Sequence, residues 1–144
     1  MTAGRPPALV RPAHRRPGLV ALVAAGGAVG TAARYGLTQA WPAVHGWPVA
    51  TFTANLVGAF VLGWLLEALA ARGPETTGVQ RVRLAVGTGV LGGFTTFSSL
   101  ALETERLLTH GSVALAVVYA GATLLLGYLA CLGGVLLGAD RRAR

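Results

Sequence analysis

The sequence predicts an all-α membrane protein with four transmembrane helices per subunit. Its 144 residues are 53% hydrophobic and only 12% charged, and the mean hydropathy is +0.61, whereas charged residues make up about a quarter of an ordinary water-soluble domain. Several stretches without Asp, Glu, Lys or Arg are long enough to cross a bilayer. The twelve cationic residues are all arginines, and nearly all of them lie outside these stretches. We therefore assign residues 18–139 to a single four-helix transmembrane domain.

The first predicted span, residues 19–40, is interrupted by Arg34 and Tyr35. A lone charge at membrane depth usually faces protein or water, so we retain the span. Paired arginines before the span and small residues at positions 31–33 also resemble a secretion signal with its cleavage site. We prefer an uncleaved helix, because the glycine pattern continues through Arg34 and indicates packing against other helices.

The other three spans are predicted at residues 48–67, 83–103 and 112–139. A short turn with two tryptophans precedes the second span, and tryptophan is typical of the interface between membrane and water. The only cysteine, Cys131, lies in the last span. A single cysteine excludes an intrachain disulfide and a metal site built from cysteines.

The arginines predict the orientation of the spans, because ten of the twelve fall on the side that receives both termini and only Arg34 and Arg106 do not. By the positive-inside rule this bias predicts a multi-pass cell-membrane protein with both termini in the cytoplasm. Residues 1–17 are then a disordered basic cytoplasmic tail, and residues 140–144 are a second basic tail. Nucleic acid is not expected as a partner, since no recognition motif or interleaved aromatic residues accompany these arginines. The ten arginines on the predicted cytoplasmic side are Arg5, Arg11, Arg15, Arg16, Arg72, Arg81, Arg83, Arg141, Arg142 and Arg144.

Glycines recur four residues apart in three of the spans. This spacing lets helices approach closely in lipid, where the hydrophobic effect does not drive helices together. We interpret most of the 21 glycines as packing residues. The spaced pairs are Gly26 and Gly30, Gly89 and Gly93, and Gly134 and Gly138.

The third span has a composition that weakens a helix at membrane depth, with four glycines and then four hydroxyl residues between positions 87 and 99. Irregular backbone at this depth requires protein or water to satisfy the freed groups. Freed carbonyl oxygens between Gly92 and Thr95 suit a hard cation such as Na⁺. Alternatively, the hydroxyls of Thr95, Thr96 and Ser98 bond to the preceding turn and keep the helix whole. The residues alone favour neither interpretation.

Neutral polar residues lie on single faces of the second and fourth spans. Thr51 and Asn55 are about one turn apart, as are Tyr119 and Thr123. The commoner role of such groups is an interhelical hydrogen bond, worth about 0.6 kcal/mol in membranes. The alternative is a track of neutral donors for a small, strongly hydrated anion, which must replace the hydrogen bonds of water without binding too tightly. The sequence contains no recognisable catalytic motif, and we predict that the protein is not an enzyme.

The order of these motifs resembles that of the Fluc (CrcB-type) fluoride channels. The matching segments are residues 26–35, then Thr51 with Asn55, then residues 92–98 and Glu103. The resemblance covers all four spans and omits only the tails, and the third-span motif is its specific part. It implies a four-helix subunit with a broken third helix that forms an antiparallel dimer with two pores and exports fluoride passively. It also implies a central, structural Na⁺ that is not transported.

The resemblance implies roles for individual residues as well. Backbone carbonyls of Gly92 and Thr95 hold the Na⁺, and Arg34 lies at the vestibule of the pore. Glu103 is a further candidate because it follows the proposed break by two turns, although acids at span ends are usually interfacial caps. The residues implied to line the pore are Asn55, Thr51, Phe97, Tyr119, Thr123 and Ser98, and the other candidates are Phe94 and Thr96.

One position departs from the family pattern, in which two phenylalanines three residues apart follow the Thr-Thr pair. The first of them is Phe97, but the second falls on Leu100. Leucine offers no positive ring edge to an anion, which puts in doubt the pore to which this face contributes. The arginine bias also requires an oppositely inserted partner for an antiparallel dimer. We therefore favour a heterodimer with a related chain of inverse bias over a homodimer.

Two other classes of protein also fit parts of the pattern. A small multidrug or cation exporter has four short helices in antiparallel pairs, but proton-coupled exporters need a membrane-buried carboxylate, and the first span contains no acid. A non-conducting membrane subunit that assembles with another complex fits the glycine pairs. Such a subunit does not, however, require the hydroxyl-rich break in the third span.

Overall fold

The chain is helical apart from short connections in the computed structural model, which describes residues 16–140. Four helical crossings are long and apolar enough to span a membrane, and they lie at Pro17–Ala40, Val49–Ala70, Thr77–Thr109 and Val113–Asp140. The predicted all-α fold with four apolar crossings is therefore confirmed. The two predicted tails, residues 1–17 and 140–144, lie almost entirely outside the described residues.

The first two crossings are helix α1 (Pro17–Ala40) and helix α2 (Val49–Ala70), which are joined by the short interfacial turn that the tryptophans predict. Val44 and Trp47 exchange two backbone hydrogen bonds across this turn, of 3.1 and 2.9 Å. Gly46 closes the turn with a φ of 82°, in the left-handed region that glycine adopts without strain. The tight turn sends α2 back across the membrane beside α1.

The third crossing consists of helices α3 and α4. Helix α3 is an α-helix at Thr77–Val82, a π-helix over Arg83–Leu91 and a single α-helical turn at Gly92–Phe94, and helix α4 spans Phe97–Thr109. The crossing extends beyond the predicted span, residues 83–103, at both ends. At its start the Thr76 hydroxyl caps an extra turn before the apolar run, accepting from the Val79 N–H at 3.3 Å. Composition locates the apolar run, whereas the cap sets the beginning of the helix.

Two residues interrupt the third crossing. Thr95 and Thr96 have extended backbones, with φ and ψ of −78° and 157° for the first and −154° and 123° for the second. The alternative that the hydroxyls keep the helix whole is wrong, although the Thr95 hydroxyl does donate to the Leu91 carbonyl at 2.9 Å. Thr96 instead caps α4, since its hydroxyl accepts from the Ser99 N–H at 3.1 Å. The third crossing is therefore bent at these two residues.

The last crossing, helix α5 (Val113–Asp140), packs along α2, while α1 packs along α3. Glycines bring the backbones of both pairs together, as the sequence predicts. A Cβ on Gly134 of α5 would overlap the Phe60 carbonyl of α2, and one on Gly93 of α3 would overlap the Gly27 carbonyl of α1. The close approach of these helices therefore depends on residues without side chains.

The contact between α1 and α3 gives a direct test of this packing. Gly30 is buried where a Cβ would overlap the Val90 carbonyl, whereas Gly36 on the same helix has nothing within 4 Å of such an atom. We expect Gly30→Ala to lower the free energy of unfolding by about 1–3 kcal/mol, the usual range for overpacking. Gly36→Ala is the matched control and should be neutral or stabilising by up to about 1 kcal/mol. Thermal unfolding in detergent measures both, and equal midpoints for the two variants would contradict close packing at Gly30.

Candidate functional site

The bend leaves backbone carbonyls of the third crossing without their helical donors. In a continuous helix the Thr96 N–H would bond to the Gly92 carbonyl, but here it donates to the Asn55 Oδ1 at 2.8 Å. The Ser99 N–H would bond to the Thr95 carbonyl, but it donates to the Thr96 hydroxyl at 3.1 Å. The carbonyl oxygens of Gly92 and Thr95 are therefore released from the helical hydrogen-bond pattern.

Asn55 of α2 holds the bend by pairing with both backbone groups of one residue. Its Oδ1 accepts from the Thr96 N–H at 2.8 Å, and its Nδ2 donates to the Thr96 carbonyl at 3.1 Å. The two bonds need one acceptor and one donor, which the amide provides and a carboxylate does not. Because unpaired backbone groups are costly at membrane depth, the Asn55 side chain stabilises the extended conformation of Thr96.

Arg34 contacts the end of α3 from helix α1. Its Nε donates to the Gly93 carbonyl at 3.2 Å. The last carbonyls of a helix lack helical donors and carry partial negative charge, so a guanidinium group is favourable at this position. The charge of Arg34 is therefore directed toward protein, which explains how an apolar span accommodates an arginine.

The released carbonyls of Gly92 and Thr95 are suitable ligands for a hard cation. Residues 16–140 contain no group of three His, Cys, Asp or Glu side chains that could hold a metal. Uncharged backbone oxygens at an unwound segment of a membrane helix are the ligands that Na⁺ takes in other transport proteins. The donor set at the bend thus fits the Na⁺ implied by the sequence, and the assignment of these two ligands stays a prediction.

A groove of about 360 Å³ runs beside the bend, between α2, the third crossing and α5. Its hydrogen-bonding side chains are Asn55, Thr95, Thr96 and Thr123, and the rest of its lining is apolar or glycine. Phe97 borders the groove and is 76% exposed. Among residues 16–140, no charged side chain lines it. The groove therefore offers a few uncharged polar groups within an apolar wall.

Glu103 of α4 accepts hydrogen bonds from two neighbouring helices. Its Oε1 accepts from the Thr51 hydroxyl of α2 at 2.7 Å, and its Oε2 accepts from the Tyr119 hydroxyl of α5 at 2.6 Å. Tyr119 is fully buried, with its ring edge-on to Trp47 at 5.4 Å between centroids. The Thr123 hydroxyl donates to the Tyr119 carbonyl at 2.7 Å. One carboxylate thus joins α2, α4 and α5.

A smaller cavity of about 150 Å³ lies next to this carboxylate. Thr51 and Glu103 line it together with Trp41 and Pro42 of the interfacial turn. The sequence identifies Glu103 only as a further candidate, and it gives Trp47 no site role. The partners of Glu103 are 52 and 16 residues away along the chain, so no local pattern could have revealed them.

The predicted pore residues therefore form two groups. Asn55, Phe97 and Thr123 border the groove beside the bend, whereas Thr51 and Tyr119 are buried against Glu103 and are absent from its lining. Thr123 links the groups, because it lines the groove and also bonds to Tyr119. The structure places these residues without testing what they conduct, so their pore-lining role stays a prediction.

The remaining candidates surround the bend. Ser98 is exposed and its hydroxyl lies 3.1 Å from that of Thr96. Phe94 is half-buried beside Gly58 of α2 and does not line the groove beside the bend. Leu100, at the position of the second family phenylalanine, lines the groove but is only 5% exposed. Phe97 is therefore the one aromatic side chain that borders the groove within residues 16–140.

The carboxylate cluster is tested by removing a single hydroxyl. Tyr119→Phe keeps the buried ring and deletes the donor to Glu103, and a hydrogen bond to a charged group contributes about 1.5–3 kcal/mol. We expect the free energy of unfolding to fall by about that amount. Tyr128→Phe is the control, since this residue is on the same helix and 63% exposed. Equal unfolding midpoints for the two variants would mean that the Tyr119 hydroxyl makes no such bond.

These features define an integral membrane protein of the channel or transporter class, in which one crossing is bent beside a groove with uncharged polar groups. A family model described as "CrcB-like protein, Camphor Resistance (CrcB)" matches residues 21–135. The chain therefore belongs to the CrcB-like family. This match confirms the resemblance that the motifs indicate.

Curated relatives match most of the chain. "Fluoride-specific ion channel FluC 2" of Leifsonia xyli subsp. xyli is 50% identical over 128 residues, which cover 89% of this chain and 88% of the relative. "Fluoride-specific ion channel FluC" of Caulobacter vibrioides is 47% identical over 117 residues, covering 80% and 91%. "Fluoride-specific ion channel FluC 1" of Cutibacterium acnes is 49% identical over 107 residues, covering 73% and 74%. These relatives are named as ion channels, which agrees with the prediction that the protein is not an enzyme.

Proposed function

We propose that the chain is a subunit of a fluoride-selective channel through which fluoride leaves the cytoplasm passively. The observation that carries the proposal is the bend at Thr95 and Thr96 beside a groove with uncharged polar groups, in a chain half identical to a protein named a fluoride-specific ion channel. Fluoride is the transported ion, and the four crossings lie in the lipid bilayer.

The chemistry of the groove suits a small anion that holds water strongly. The second N–H of the Asn55 amide can replace a hydrogen bond of water, and the edge of the Phe97 ring carries partial positive charge. The hydroxyls of Thr96 and Thr123 donate to protein oxygens in this structure and would rotate toward the anion when it enters. None of these groups is a full cation, so the anion is not held so tightly that it stays. Arg34 is bonded to Gly93 and attracts anions toward the site without lining the groove.

Two carbonyl oxygens per subunit support a shared Na⁺ at the bend. Gly92 and Thr95 would provide the ligands, and the ion when bound would supply a fixed positive charge close to the anion path. Hard cations in proteins take about six oxygen ligands. A single subunit offers only two, so a second subunit is needed to bring the protein ligands to four.

The surface near the bend also requires a protein partner. Gly92, Phe97 and Ser98 are exposed in the single chain, at a depth where lipid cannot satisfy irregular backbone. An antiparallel dimer covers this surface. Because arginines concentrate at one end of the bundle, we favour a related, oppositely inserted chain as the partner. The numbers in the names of two relatives, FluC 2 and FluC 1, are in keeping with organisms that hold more than one such protein.

Fluoride efflux from liposomes tests the function and the partner separately. The purified chain is reconstituted with internal potassium fluoride, and efflux is started with a potassium ionophore, alone or with a related chain of opposite arginine bias. Efflux that appears only with the second chain supports both proposals. Full efflux from the chain alone supports the channel and overturns the need for a partner. No efflux under either condition, from protein shown to be folded, would overturn the channel.

The Na⁺ proposal predicts a dependence on the cation present during purification. Exchange of Na⁺ for N-methylglucamine should abolish most of the efflux, and added Na⁺ should restore it, because the released carbonyls lose the ion that they coordinate. A lowered unfolding midpoint without Na⁺ gives a second measurement. Efflux and midpoint that are both unchanged would show that the bend holds no Na⁺.

The alternative function is a proton-coupled exporter, which needs a membrane-buried carboxylate. Glu103 meets this need, because it is enclosed by Thr51 and Tyr119. A channel moves fluoride down its own gradient without a pH difference, whereas an exporter of this kind requires one. Efflux in symmetrical buffer therefore separates the two classes.

A further inference from the structure

A second groove, of about 440 Å³, lies at the end of the bundle where α1 and α3 begin. It is separate from the bend and shares no lining residue with the groove there. The two helices contribute cationic, polar and apolar side chains to it. The lining includes Arg16, which caps α1, with Leu19 and Leu22 from α1, and Thr77, Gln80 and Arg81 from α3.

The polar part of this groove is suited to an anion. Two guanidinium groups line it, of Arg16 just before α1 and of Arg81 in α3, and no acid among residues 16–140 does so. The side chain of Arg81 makes no hydrogen bond or ion pair with any residue from 16 to 140. Nearby Arg83 lies outside the groove and is paired with Glu75 at 2.8 Å. The charge of Arg81 is therefore not neutralised by an acid in the described part of the chain.

The apolar part of the groove favours a lipid over a soluble anion as its ligand. Leu19 and Leu22 follow Arg16 along α1 by about 4.5 and 9 Å, in the direction of the membrane core. They would contact acyl carbons below a phosphate held by the arginines. Residues 1–15 contain three arginines and no acid, so their sequence offers no carboxylate to neutralise Arg81.

We propose that this groove binds the headgroup of an anionic phospholipid, with the phosphodiester between Arg16 and Arg81 and the upper acyl carbons along Leu19 and Leu22. The predicted orientation places the groove in the cytoplasmic leaflet. Basic pockets between transmembrane helices on that side are a known type of lipid site. The proposal is independent of what the bend conducts.

Lipid titration of the full-length protein in neutral detergent tests the site. A ligand that binds only the folded state raises the unfolding midpoint. Dioleoyl phosphatidylglycerol should raise it more than dioleoyl phosphatidylcholine does, at 0.15 M salt to screen distant charges. Arg81→Gln should weaken the apparent affinity for phosphatidylglycerol about fivefold, as expected for one interfacial arginine. Arg72→Gln removes the same charge on the same predicted side but outside the groove, and should change the affinity much less.

Three results would overturn the proposal. Equal responses to the two lipids would show that the headgroup charge is not recognised, and equal effects of Arg81→Gln and Arg72→Gln would show only diffuse attraction. Glycerol 3-phosphate that acts at the same concentration as phosphatidylglycerol would identify a free phosphate site instead of a lipid site. If Arg81→Gln does not fold, native mass spectrometry of the unaltered protein tests the site instead. The proposal expects phosphatidylglycerol to stay bound and phosphatidylcholine to be lost, and equal retention of the two lipids would contradict it.

Discussion

We expect Asn55→Asp to abolish fluoride efflux. The carboxylate can still accept from the Thr96 N–H, but it cannot donate to the Thr96 carbonyl as Nδ2 does at 3.1 Å. It also places a negative charge in the lining of the groove. A unit charge about 4 Å from a passing anion raises its energy by about 4 kcal/mol at an effective dielectric constant of about 20. This energy corresponds to a roughly thousandfold fall in rate, measured as fluoride efflux from liposomes.

The control for this variant makes the same chemical change elsewhere. Gln39→Glu converts an exposed amide at the end of α1 to a carboxylate, and it should keep most of the efflux. Asn55→Ala separates the two effects of the aspartate, since it loses both bonds to Thr96 without adding charge. Efflux near the unaltered rate in both Asn55 variants would mean that neither the bend nor the groove depends on this amide.

The features that could be predicted from the sequence are those set by local composition. Apolar runs give the number of crossings, and the glycine and hydroxyl run marks the segment where a bend was one of two interpretations. The start of the third crossing at Thr77 was missed because the cap at Thr76 lies in a polar segment, where hydropathy carries no signal. The π-helix at Arg83–Leu91 was missed as well, since it depends on how α3 packs against α1 rather than on a residue pattern.

The candidate site was predictable in its residues but not in its pairings. Thr51 and Asn55 share a helical face, and this spacing suggests a common environment. In the structure they serve different partners, because Asn55 reaches the backbone of Thr96 while Thr51 reaches Glu103. These contacts join residues 41 and 52 positions apart, so only the packing of α2 against the third crossing decides them. Polar residues on one face of a helix therefore predict a polar environment, but they do not predict that these residues line one continuous path.

We expect Phe97→Ile to lower fluoride efflux at least tenfold. Phe97 is the aromatic residue at the groove, and Leu100 offers no ring to compensate for its loss. Isoleucine preserves the apolar character and much of the volume, but it removes the partial positive charge of the ring edge. Aromatic pairs that use this edge gain about 1 kcal/mol beyond their buried area, and a fully charged anion that has shed water in the groove depends on the edge more strongly.

The matched control is Phe60→Ile, the same substitution at an exposed position of α2 outside the groove, where efflux should be nearly unchanged. Because Phe97 is exposed in the single chain, its replacement should leave the unfolding midpoint of the subunit close to that of the unaltered protein. A large fall in midpoint would assign the lost efflux to folding. Unaltered efflux from folded Phe97→Ile would show that the ring does not contact the anion, and the path would then have to follow the hydroxyls of Thr96 and Thr123 alone.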